Sequence, residues 1–411
     1  MTIQQLGEQA QKASRALMVS AGNLRNAALE AMANVLAEKE AAILEANGLD
    51  LANAQANHMA ISLQDRLRLT PARIAGMRQG IGDIKGMADP IGVVLGGGVL
   101  QSGLQMRQVS VPLGVIGMIY EARPNVTADA AALCLKSANA LILRGGKEAI
   151  HSNMAIANAL REAITSTGLP ADCVQLVEDT SRESAAALMR ANGLVDVLIP
   201  RGGAGLIKAV VENATVPVIE TGAGVCHTYV DASADIAMAL AITENAKVSR
   251  PSVCNALETL LVHADIAAEF LPRLTQTLSN VELRCDERAL KIINGIPATE
   301  EDWATEYGAL ILAIKVVANM DEALSHIARY STRHSECIVT SDYGLAQRFL
   351  NEVDAAAVYV NASTRFTDGG EFGLGAEIGI ATQKLHARGP LGLRHLTSSK
   401  YLILGQGQVR N

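Results

Sequence analysis

The feature that most constrains this chain is its alternation. From residue 114 to about 221, short apolar runs of strand character ("VIGMIY", "ALILRG", "CVQLVE", "VDVLIP", "VPVIET") are separated by helical patterns such as "TADAAALCLKSAN" and "SNMAIANALREAITS". A second block runs from 226 to about 361, with "CHTYVD", "ALETLLVH", "ALILAIKVV", "ECIVTS" and "AAAVYVNAS", and with "MDEALSHIARYS" as a helix among them. Parallel strands need a long crossover, and a helix is the usual one. Alternation therefore predicts βαβ units around parallel sheets, and two blocks predict two α/β domains. A chain of 411 residues has room for more than one core.

The flanks differ in texture. Residues 1–86 are rich in Ala, Leu, Glu and Gln and predict helices, with Thr70-Pro71 reading as an N-cap and first helical position. "IGVVLGGGVLQSGLQMRQVSVPLG" predicts extended strands and turns, and the Gly-rich C-terminal part ends in a strand candidate, "KYLIL". Extra strands of this kind are edges suited to pairing with another subunit.

Composition removes several function classes. Aromatic content is 3% and net charge is −7, without a basic block, which speaks against nucleic acid or an anionic membrane surface. No apolar run approaches the ~20 residues of a membrane span. The N-terminus lacks a basic start followed by an apolar run, so no secretory signal is expected. The six cysteines form no CxxC pair and no paired-histidine spacing occurs, so neither a disulfide framework nor a metal site is expected. A cytoplasmic setting fits these features.

Neither GxGxxG nor a GxxxxGK[ST] loop is present; Gly373-Leu-Gly375 is followed by Ile378 where the last glycine would fall. Ligands of open α/β sheets lie beyond the carboxyl ends of the strands. Those ends are "EARPN", "RGGK", "PRGGAG" and "ETGAG", read either as ligand contacts or as ordinary tight turns. Among the cysteines, Cys254 in "KVSRPSVCNALETLLVH" follows polar residues and a proline, beside Arg250 and at the mouth of a possible helix, a setting that favours a thiolate. The other five sit in apolar or helical contexts. His334 and His386 lie among polar residues and read either as ligand contacts or, the favoured reading, as surface or capping residues.

Several stretches together resemble the aldehyde dehydrogenase superfamily, and within it the γ-glutamyl phosphate reductase family. They are "VANMDEALSHIARYSTRHSECI", "YEARPNVT", "RPSVCN", "TEYG" and "TQKLHARGP", in the family's order over essentially the whole chain. The resemblance implies NADPH-dependent reduction of L-γ-glutamyl 5-phosphate to L-glutamate 5-semialdehyde, a step of proline biosynthesis. It implies a dinucleotide-binding domain at 1–95 and 117–225, a catalytic domain at 226–385, and oligomerisation strands at 96–116 and 386–411. Cys254 is the implied nucleophile and Asn125 an oxyanion donor, with the Cys254 backbone N–H as the second. Glu220 matches the superfamily's general-base glutamate, as a catalytic or a positioning residue. Glu306 matches the glutamate that holds the nicotinamide ribose. Arg144 and Lys147 stand where the adenosine ribose is contacted and suit the 2′-phosphate of NADP. Gly202 and Gly203 lie near the implied pyrophosphate path. Arg250 is a candidate for the substrate phosphate, and Lys384, His386 and Arg388 for its α-carboxylate. A homo-oligomer and a transient contact with glutamate 5-kinase are the expected partnerships. Two alternatives stand beside this reading: a related dehydrogenase oxidising a free semialdehyde, and a non-catalytic oligomeric scaffold.

Overall fold

The computed structural model describes residues 1–410, which divide into two compact units. One comprises Met1–Thr221, Gly373–Gly379 and the chain from Leu391 on; the other comprises Gly222–Phe372 and Ile380–Pro390.

The first unit opens with α1 (Ile3–Met18), α2 (Gly22–Glu38), α3 (Glu40–Ala56), α4 (Ile61–Leu67) and α5 (Pro71–Gly86). Thr70 caps α5, its hydroxyl accepting from the Arg73 amide at 3.2 Å, with Pro71 in the first turn. The antiparallel strands β1 (Val94–Val99) and β2 (Gln105–Pro112) follow. A parallel sheet then alternates with helices: β3 (Val115–Tyr120), α6 (Asn125–Lys136), β4 (Ala140–Gly145), α7 (Ile150–Ser166), β5 (Val174–Leu176), α8 (Arg182–Met189), β6 (Val197–Arg201) and α9 (Ala204–Asn213). The sheet order is β5-β4-β3-β6. Every residue of β3 is buried, as expected of a central parallel strand covered on both faces. The run "VPVIET" does not form the expected strand. It makes a single bridge, Leu198 to Val218, because Pro217 has no N–H to extend a ladder. The closing strand, Thr397–Leu404, pairs with β2 and completes a separate three-stranded antiparallel sheet, on which Val94, Val99, Tyr401, Ile403 and Leu404 are exposed.

The second unit is a seven-stranded parallel sheet of order β10-β9-β11-β8-β7-β12-β13. Its elements are β7 (Cys226–Val230), α10 (Ile236–Val248), β8 (Leu257–His263), α11 (Ala264–Thr277), β9 (Glu282–Cys285), β10 (Ile296–Pro297), β11 (Ile311–Val317), α12 (Met320–Tyr330), β12 (Ser335–Val339), α13 (Tyr343–Glu352) and β13 (Ala357–Val360). A short ribbon, β14 (Ile380–Ala381) with β15 (Gly389–Pro390), completes it. Phe270, Leu271 and Leu274 of α11 pack on Leu260, Leu312 and Ile314 of the sheet. His334 is not at the surface. It is fully buried, its Nδ1 2.8 Å from the Ser335 hydroxyl. Among the described residues no helix is long and apolar enough to cross a membrane.

Candidate active site

In the second unit, α10 ends at Val248, and the chain turns through Arg250, Pro251, Ser252 and Val253 to Cys254. Proline disfavours helix at the residue before it, so α10 cannot run on. The segment after Cys254 is not a helix: Leu257–His263 is β8, a central strand between β7 and β11. The thiol is therefore not at the start of a helix in its own segment. Cys254 is half-buried, and the other five cysteines are buried. Burial pushes Cys285 up to about 11 and Cys173 and Cys337 up to about 12, and raises Cys134 and Cys226 further.

The backbone of this turn is fixed by close packing. The Cys226 thiol donates to the Cys254 carbonyl oxygen at 3.2 Å. A Cβ on Gly224 would lie 1.4 Å from that oxygen, so only glycine fits there. The next residue, Asn255, is buried; its amide nitrogen donates to the carbonyls of Arg365 (3.2 Å) and Thr367 (3.0 Å). Its amide oxygen accepts from Nη1 of Arg365, whose Nε donates to the Ser249 hydroxyl at 3.2 Å. Arg365 thus spans both ends of the cysteine turn. Burial and then the Arg250 charge lower its pKa, while Asp368 and Cys254 oppose them.

Beneath the turn, Lys247 of α10 and Glu258 of β8 meet at 2.5 Å with both side chains wholly buried. Glu258 also accepts from the Gly308 amide at 3.3 Å, which ties the segment carrying the exposed Glu306 to this pair. Burial lifts Glu258 to about 7 against the pull of Lys247. Of the C-terminal candidates, Lys384 and Arg388 both bind Asp354, at 2.7 and 2.8 Å, and His386 is exposed with φ +69°.

In the first unit, Asn125 is exposed at the start of α6 and its amide donates to Asp129 at 3.0 Å. Burial raises Asp129 to about 6, against the Asn125 hydrogen bond and the Arg201 charge. At the end of β4, the Arg144 guanidinium is occupied by the carbonyls of Thr180 (2.6 Å) and Ser181 (2.8 Å), and the exposed cation of the turn that follows is Lys147. Beyond β6, the Gly203 amide at the N-terminus of α9 donates to the Glu121 carboxylate at 2.9 Å. A Cβ on Gly202 would lie 2.7 Å from that carboxyl carbon. Glu220 is half-buried beside Thr221, whose hydroxyl donates to the Pro200 carbonyl at 2.5 Å.

The aldehyde dehydrogenase family model matches residues 1–289. The chain belongs to the aldehyde dehydrogenase family. Within that family, a γ-glutamyl phosphate reductase of Clostridium novyi is 57% identical over 404 residues, 98% of this chain and 97% of its own. The solved γ-glutamyl phosphate reductase of Thermotoga maritima is 48% identical with a TM-score of 0.97, over 100% of both chains. A solved engineered glycolyl-CoA reductase with bound NADP+ shares the fold, at 16% identity and a TM-score of 0.70 over 98% and 96% of the two chains.

For an aldehyde dehydrogenase family member, reading the sequence alone passes over Arg365, Gly224, Cys226, Asp129 and the Lys247–Glu258 pair. Gly224 had a signal, the glycines of "ETGAG", but the close approach they permit here is that of the cysteine turn itself. Arg365 sits in a Gly-rich stretch with no local pattern, and Asn255, which holds it, is 110 residues away.

Proposed function

We propose that this chain reduces L-γ-glutamyl 5-phosphate to L-glutamate 5-semialdehyde with NADPH, releasing phosphate, through a thioester on Cys254, in proline biosynthesis. The observation that carries this reading is the Cys254 turn: one half-buried thiol on a rigidly packed backbone with a guanidinium clamped beside it. The chain's 57% identity to a γ-glutamyl phosphate reductase supports the choice of substrate.

The chemistry follows from the groups present. The Cys254 thiolate attacks the acyl carbon, the carbon–oxygen bond to phosphate breaks, and an acyl-enzyme forms. When bound, the reduced nicotinamide supplies hydride to that acyl carbon. Collapse of the resulting thiohemiacetal anion returns the thiolate and frees the aldehyde. Asn125 is the proposed oxyanion donor: one amide proton is spent on Asp129, and a second remains for the substrate oxygen. Such a donor is worth about 3–4 kcal/mol in the barrier. Glu220 is kept as a positioning residue, since a water-activating base would hydrolyse the thioester.

Two observations fit a nicotinamide dinucleotide to the first unit. The α9 N-terminus already takes an anion, the Glu121 carboxylate, at Gly203, the kind of place where pyrophosphate binds. Lys147 presents a cation beyond β4, suited to a 2′-phosphate. Glu306 is assigned to the nicotinamide ribose. Residues 1–95 and 117–225 are assigned to cofactor binding and 226–385 to catalysis. The exposed apolar strands at 96–116 and at the C-terminus are assigned to a homo-oligomer in the cytoplasm. Transient contact with glutamate 5-kinase, the source of a labile acyl phosphate, completes the reading. Sedimentation of the chain alone and mixed with that kinase tests both partnerships; a lone monomer that leaves the kinase profile unchanged counts against them.

Run in reverse, the enzyme is expected to oxidise the semialdehyde only when phosphate is supplied. Cys254→Ala is expected to abolish NADPH consumption with the fold intact, as read by circular dichroism. Phosphate-independent oxidation, or an active Cys254→Ala protein, refutes the reading.

A further inference from the structure

We propose that Arg365, together with Arg250, forms the subsite for the phosphate that leaves the acyl carbon at Cys254. The inference rests on the acyl phosphate reading above and names the residue that receives the anion.

The scaffold creates the need. The turn bearing Cys254 leads from α10 into the strand β8, so no helix begins at the sulfur to offer its N-terminus to a phosphate dianion. Side-chain cations must supply what a helix N-terminus would otherwise give. Arg365 is built for this. Nη1 is held by the amide oxygen of Asn255 and Nε by the hydroxyl of Ser249, both neutral groups. They hold the guanidinium without an ion pair, although the more distant Asp368 charge also acts on it. Lys384 and Arg388 are the contrast, each bonded to the Asp354 carboxylate. Asn255 is itself anchored through the Arg365 and Thr367 carbonyls and through the Thr364 hydroxyl, which donates to the Asn255 carbonyl at 2.7 Å. Because Asn255 directly follows Cys254, the guanidinium is bonded to the same turn that carries the sulfur. Arg250 stands on the same turn, four residues before Cys254, and the charges of both act on Arg365. Two like charges beside one nucleophile repel each other, and an anion placed between them removes that repulsion. The planar guanidinium fork matches phosphate oxygens in geometry as well as charge.

In the forward step, sulfur bonds to the acyl carbon and the carbon–oxygen bond breaks. Its electron pair leaves on the phosphate oxygen, where Arg365 meets the developing charge, and nothing is oxidised or reduced. In reverse, inorganic phosphate enters the same subsite and attacks the thioester.

The test is the reverse reaction with inorganic phosphate as the varied substrate. Arg365→Gln is expected to raise the KM for phosphate about tenfold or more, the size of one lost charge-assisted hydrogen bond. The KM for the semialdehyde is expected to stay within about twofold, because that substrate does not meet the guanidinium. Arg365→Lys, which keeps the charge but loses the fork, is expected to recover part of the phosphate affinity. If Arg365→Gln does not fold, Ser249→Ala, which frees Nε alone, is read for the same split between the two KM values. An unchanged phosphate KM in a folded variant overturns the subsite, and so does a fall in kcat alone, which marks a purely structural role. Wild-type turnover without phosphate defeats the parent reading and the subsite with it. Wild-type phosphate dependence with an indifferent Arg365→Gln defeats the subsite only.

Discussion

Lys247 and Glu258 meet at 2.5 Å with both side chains wholly buried, whereas Asp354, 44% exposed, gathers Lys384, Arg388 and, more distantly, Arg333 at the surface of the same unit. The two clusters use the same pairing chemistry, yet their carboxyls move in opposite directions. Burial wins at Glu258 and lifts it to about 7 despite the adjacent ammonium. The cations win at Asp354 and hold it down at about 2. Desolvation disfavours a charge whether or not a partner is present; water removes that cost at the surface and screens the attraction as well. A buried pair is therefore dangerous to break, and an exposed one is nearly dispensable.

The sharpest way to break this comparison is Lys247→Met. It leaves Glu258 buried and alone, and is expected to destabilise the protein by about 3–5 kcal/mol, with a lowered denaturation midpoint. A Lys247→Met, Glu258→Leu double variant is expected to recover much of that loss, since no uncompensated charge remains. A single variant as stable as wild type would show that the pair is not sealed from water. The next effect is in pH. The folded Glu258 carboxyl keeps its proton above the pH at which the unfolded one loses it. Its contribution is full below about 4.5 and is lost as pH rises through about 7. Glu258→Gln is expected to flatten the fall in stability over that window, followed by urea denaturation at stepped pH. Asp354 runs the other way: its contribution is present above its unfolded value and lost as pH falls through about 2. The smallest effect follows from its exposure. Asp354→Asn is expected to cost no more than about 1 kcal/mol, and the difference from wild type should vanish at high salt. A larger, salt-insensitive loss would erase the distinction between the two clusters.

The parallel sheets were legible because alternation is written locally. The runs at 115–120, 140–145, 226–231 and 309–317 all become strands with small changes at their ends. Two departures have specific causes. Pro217 withholds the donor that "VPVIET" needed; and although "ALETLLVH" becomes the expected strand, β8, no helix opens at Cys254, because the chain enters a central strand there. Of the stretch 317–338, on which the resemblance leans most, His326 of α12, His334 just before β12 and Glu336 of β12 are buried, with Glu336 receiving the His227 amide at 2.8 Å.

Strand and helix spacing, the exceptional polar context of Cys254 and the family resemblance are properties of neighbouring residues, and the sequence by itself determined them. Which guanidinium bonds the residue after that thiol, why Gly224 must be glycine, and that Arg144 serves a loop while Lys147 stays exposed were decided only in three dimensions. The reason is physical. Charge and reach depend on burial and on partners as much as 110 residues away, and neither quantity is carried by any local stretch of chain.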